Sequence, residues 1–80
     1  MNKRMVKVEW LDSCVDNGWK SEHEVIENTV SHCESVGYLL KKDKTQVSII
    51  QNVSDTGNVS EQMSIPRRCV KRIIYLKEVN

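Results

Sequence analysis

Arg67, Arg68, Lys71 and Arg72 are the densest basic cluster in the chain, and they follow directly on Pro66. Each guanidinium carries a planar fork of donors that matches phosphate oxygens, and the N–H groups of an exposed turn can add further donors. If symmetry brings such clusters together, a pocket for an anion forms between subunits. Trp19 or Tyr38 would then supply the aromatic face on which a base stacks. The plain alternative is a solvated charged surface that balances the Glu-rich segment 22–27, because clustered arginine permits binding without specifying it.

The other reactive side chains point away from catalysis. His32 and Cys33 are neighbours, so on a strand they face opposite sides and cannot ligate one metal. His23 stands between Glu22 and Glu24 in no metal-binding spacing. Cys14, Cys33 and Cys69 are odd in number and far apart, which suits neither a disulfide framework nor a zinc site. A Cys–His nucleophile pair has no local signature here. There is no glycine-rich phosphate loop, no HExxH and no paired-carboxylate arrangement. A binder is expected rather than an enzyme, with no cofactor and no metal.

Composition narrows the partners. The 80 residues hold 12 Lys and Arg against 11 Asp and Glu, a net charge of +1. That balance argues against a purely electrostatic nucleic-acid binder. A single domain this short buries only about 60–65 % of its unfolded surface, and self-association is one way to add buried area. The first residues, Met-Asn-Lys-Arg-Met-Val-Lys, lack the apolar run of a leader, and no stretch reaches the length of a membrane span. A cytoplasmic protein with no membrane partner is expected.

Strands must position these groups. Residues 5–11 alternate, with Val6, Val8 and Trp10 on one face and Lys7 and Glu9 on the other, so Trp10 is expected in the core. Asp12 to Gly18 collects turn formers, and Asp12 is expected to cap that turn. Trp19, after the glycine, is either a binding-surface residue or a plug. Ser21-Glu-His-Glu24 has the form of a capping box, which predicts one or two helical turns or a compact loop over the following apolar residues. A second strand is expected over roughly 30–42, with Gly37 marking a bend or a close backbone approach. Residues 42–45 form a hairpin turn and 46–53 a third strand. A polar loop at 54–58 leads to a short fourth strand at 62–65, which Pro66 ends for want of an N–H. The last strand runs over 70–77. The pattern is all-β, a small five-stranded barrel or sandwich with at most one short helix.

Several strands are apolar on both faces: Tyr38-Leu39-Leu40, Ile49-Ile50 and Ile73-Ile74. A lone barrel needs apolar residues only inside. A partner subunit is the simplest cover for the surplus, with Leu39, Leu40, Ile50 and Ile73 as interface residues. The alternative cover is the helix or the 53–61 loop.

Ser64-Ile-Pro-Arg-Arg-Cys-Val-Lys-Arg-Ile73 resembles the end of an SH3-type barrel. There an Ile-Pro-x-x-x-Val piece makes a 3₁₀ turn between the fourth and fifth strands, with Ile65 and Val70 plugging the core. Sm-like barrels share the five-strand arrangement, but their Arg-Gly signature is replaced here by Arg67-Arg68. Across most of its length the chain resembles a set of small phage-encoded proteins. The matching pieces are Trp10-Leu-Asp12, Gly18-Trp19, Ser35-Val-Gly-Tyr-Leu39, and Ile65-Pro66 through Leu76. Some small oligomeric phage proteins sequester the cyclic nucleotide signals of anti-phage immunity. The resemblance therefore implies an SH3/Sm-like barrel that binds an anionic nucleotide as a homo-oligomer in the host cytoplasm. Its expected ligand residues are Trp19, Tyr38, Arg67, Arg68 and Lys71. Two alternatives are a nucleic-acid-binding Sm-like protein and an interaction module that blocks a host factor through its apolar outer face.

Overall fold

The structure is a computed structural model, and it describes residues 3–12, 19, 22 and 31–79. Its strands are β1 (Met5–Asp12), β2 (Ser31–Lys42), β3 (Gln46–Val53), β4 (Val59–Pro66) and β5 (Val70–Tyr75), with a 3₁₀ turn at Arg67–Cys69. They form one antiparallel sheet in the order β4-β3-β2-β1-β5. Apart from Glu22, which is helical, and the 3₁₀ turn, the described elements are all β-strands, as the alternation and turn spacing predict. The capping box and its helix, the turn at 13–18, and the side chains of Cys14 and His23 fall outside the described residues, Glu22 excepted.

Three residues of 3₁₀ turn separate Pro66, opposite Gln46 on β3, from Val70, opposite Trp10 on β1. A link that short forces the far strands of the sheet toward each other, so the sheet curls. The curl encloses Val6 and Val8 of β1, Val47 and Ile49 of β3, and Ile65 of β4, all nearly inaccessible to solvent. Trp10, Leu39, Cys69, Val70 and Ile73 pack against this centre. Trp10 also donates its indole N–H to Ser35 Oγ at 3.0 Å, which satisfies the one polar atom that a core tryptophan brings inward.

The curl stops short of the closed barrel that the sequence suggests. Among the described pairings none joins β4 to β5: the 3₁₀ turn redirects the chain, and β5 pairs with β1 instead of running back along β4. Two register shifts, at Glu9/Trp10 and at Leu39/Lys41, supply the bending. Gly37 supplies the room. A Cβ there would sit 2.8 Å from the Ile50 carbonyl oxygen and 3.2 Å from Ile49 Cβ, so β2 and β3 approach closely only because the side chain is missing.

The fourth strand is longer than expected, starting at Val59, and every residue from Val59 to Ser64 is exposed. Glu61 in its middle has φ 60°, an uncommon left-handed conformation for a residue other than glycine. A kink in an exposed edge strand makes it a poor template for indiscriminate pairing. Pro66 is the last residue of the strand, in keeping with its missing donor. Among the described residues no helix is long and apolar enough to cross a membrane.

Candidate functional site

The β2–β3 turn is built by one carboxylate. Asp43 Oδ1 accepts from the Thr45 N–H at 2.8 Å, the Thr45 hydroxyl at 2.8 Å and the Gln46 N–H at 2.9 Å. The Asp43 N–H donates to the Gln46 carbonyl at 3.0 Å. These bonds, the two from Thr45 foremost, hold the carboxyl well below the usual carboxylate range. Lys41 Nζ lies 3.4 Å from the other carboxylate oxygen. The only acid of the turn is thus occupied.

The Arg67 N–H donates to the Thr45 carbonyl at 2.9 Å, drawing the 3₁₀ turn against this locked turn. Where they meet lies an open groove of about 360 Å³, lined by Thr45, Gln46, Ser64, Ile65 and Pro66. Ser64 Oγ shares a 2.8 Å hydrogen bond with Ser48 Oγ, a buried side chain. Lys44 precedes the lining residues in sequence and Arg67 and Arg68 follow them; all three are exposed, and none forms a salt bridge with another described residue. Beside the groove, then, are three cations with no salt bridge to another described residue, and in its lining the Gln46 side-chain amide and the Ser64 hydroxyl, groups suited to phosphate oxygens.

The other expected ligand residues lie elsewhere. Lys71 occupies the register shift opposite Glu9 and Trp10 and lines a separate cavity of about 90 Å³ with Glu9, Trp10, His32, Cys33 and Glu34. Two carboxylates beside it oppose an anion. Arg72 is held by Glu9 in a forked pair, Nη2 at 2.9 Å from Oε2 and Nε at 3.3 Å from Oε1. This pairing pushes the Glu9 carboxyl down and the Arg72 guanidinium up, so the Arg72 charge is already spent. Tyr38 is paired with Met5 and Ile50 and lines a third cavity. Trp19 is fully exposed and lines none of these three. The structure keeps Arg67 and Arg68 together and parts them from Lys71 and Tyr38. Sequence reading missed Lys44, Thr45 and Gln46, because a backbone bond between segments twenty-odd residues apart leaves no local signal.

The expected interface also changes. Ile50 is completely buried, as is Ser48 two residues earlier, so the chain already covers that second face of β3 and Ile50 offers nothing to a partner. Leu39 and Ile73 are half-buried against the core. Leu40, at the register shift of β2, remains 39 % exposed. No group of three His, Cys, Asp or Glu able to hold a metal ion occurs among the described residues. No protein-family model, curated protein or solved structure matches this chain.

Proposed function

We propose that this is a non-catalytic phage accessory protein that binds and sequesters an anionic nucleotide, with a cyclic dinucleotide immune signal as the leading ligand. The observation that carries the reading is the Arg67 N–H to Thr45 carbonyl bond, which sets the backbone next to Lys44 against that of Arg67 and Arg68, beside the groove lined by Thr45, Gln46, Ser64, Ile65 and Pro66. Exposed arginines can swing their forks onto a phosphate held there, while the Gln46 side-chain amide and the Ser64 hydroxyl offer neutral hydrogen bonds and the Thr45 donors stay with Asp43.

Action as a homo-oligomer belongs to the same reading. The outer edges of β4 and β5 are unpaired among the described strands, and Leu40, Val59, Met63 and Tyr75 leave apolar surface in water. A second copy that covers these groups adds the buried area a short chain lacks. Native mass spectrometry of protein purified from cells tests both parts. An oligomer carrying a small molecule of nucleotide mass is the expected species. A monomer that carries none, from cells that contain such signals, contradicts the reading. Tight binding of long RNA with a steep salt dependence would point to a nucleic-acid strand instead.

A further inference from the structure

The third cavity lies apart from the basic corner. About 320 Å³ in volume, it is lined by Lys3, Arg4, Met5, Tyr38, Leu76, Lys77 and Glu78. Three chain segments frame it and backbone bonds fix them. Leu39 N–H donates to the Arg4 carbonyl at 2.7 Å, and Leu76 N–H donates to the Met5 carbonyl at 3.0 Å. Met5 and Tyr38 stand opposite each other in the β1–β2 ladder. The apolar floor is therefore formed before any ligand arrives.

Met5 is 42 % exposed, Tyr38 and Leu76 are half-buried, and all three meet in one dish. Lys3 and Lys77 stand at its rim with Glu78 as the single acid. Arg4 keeps its charge but has its guanidinium engaged on a ring outside the lining. Its guanidinium sits 4.8 Å from the centroid of the Tyr75 ring, which Lys42 also approaches, donating to the Tyr75 hydroxyl at 3.3 Å.

We propose that this cavity is a second binding site, for a small aromatic anion of the nucleoside monophosphate class. The ring packs on Tyr38 over Met5 and Leu76, and the phosphate is drawn to Lys3 and Lys77. The volume is at the lower end of the roughly 300–1,000 Å³ of small-molecule sites, which suits one ring system with one anionic group. An apolar floor alone would take a neutral ring, and a cationic rim alone would take any anion. Their combination selects a ligand that has both. The site does not depend on the corner at Lys44, Arg67 and Arg68, and either can fail without the other.

Amide chemical shifts in a titration of the full chain with AMP test this, in a background where Arg67→Gln and Arg68→Gln weaken the corner. Saturable shifts are expected at Met5, Tyr38, Leu76 and Lys77. Adenosine and inorganic phosphate should each bind at least about tenfold more weakly, since each lacks half of the recognised chemistry. Tyr38→Leu should cost about tenfold through the lost stacking face. Lys77→Gln, in the tail beyond β5, should weaken AMP but not adenosine, and it tests the site even if the Tyr38 variant fails to fold. The proposal is overturned if these four amides stay still at millimolar AMP, or if adenosine binds as tightly as AMP. Shifts that follow protein concentration rather than AMP would assign the dish to a second copy and overturn it as well.

Discussion

Replacing Gly37 by alanine should destabilise the protein through a single atom. The new Cβ would lie 2.8 Å from the Ile50 carbonyl oxygen, 3.2 Å from Ile49 Cβ and 3.3 Å from Gln51 Nε2. The first neighbour is backbone and the second belongs to a fully buried core side chain, so neither yields without moving β3. Gln51 is also committed, donating to the Val36 carbonyl at 2.6 Å. Overpacking of this kind costs about 1–3 kcal/mol. Contact with backbone puts this site in the upper half of that range, about 2–3 kcal/mol, and alanine returns about 0.4–1 kcal/mol by restricting the unfolded chain, which leaves a net loss of about 1–2.6 kcal/mol. A chain of this length has roughly 4–12 kcal/mol of stability in all, so the loss is a sizeable fraction. With a urea m-value near 1 kcal/mol/M, the unfolding midpoint should fall by about 1–2.6 M with m unchanged. An unchanged or higher midpoint would refute the close approach of β2 and β3 on which the curl of the sheet rests.

Three further outcomes follow from the packing and the turn. Ile49→Ala should cost about 2–5 kcal/mol by leaving a cavity in the core, whereas Leu40→Ala should change monomer stability by less than about 0.5 kcal/mol and weaken self-association; denaturant melts and sedimentation at matched concentrations separate the two. Asp43→Ala should lower the melting temperature at neutral pH. Because the folded Asp43 carboxyl lies below its usual range, its stabilisation is complete above the unfolded value of about 3.9 and is lost as pH falls through the lower folded value, so melts of variant and wild type should converge in strong acid. Trp10→Phe should cost about 1 kcal/mol by removing the bond to Ser35, read by denaturant unfolding.

How much of this was legible in the residues depends on whether the signal was local. The alternation of Val6, Val8 and Trp10, the β-branched run at 46–50, and Pro66 read directly as strands and a stop, and the glycine in the middle of β2 marked the close approach. The start of β4 was not legible, because residues 59–64 are all exposed and carry no alternation of burial. Ile50 looked like surplus apolar surface because sequence cannot show that the chain covers both faces of β3. The basic cluster read as one unit, yet the register shift at Glu9/Trp10 puts Lys71 beside carboxylates, and Glu9 claims Arg72. Lys44 joined the arginines only through a backbone bond across the fold.

The central claim is that Lys44, Arg67 and Arg68 hold the phosphates of a nucleotide. Isothermal titration calorimetry of the full chain with cyclic dinucleotides tests it most directly. A saturable heat is expected, which Arg67→Glu with Arg68→Glu abolishes while the unfolding midpoint stays in place. No heat with any cyclic dinucleotide at high protein concentration, or heat that the double variant leaves intact, would contradict it.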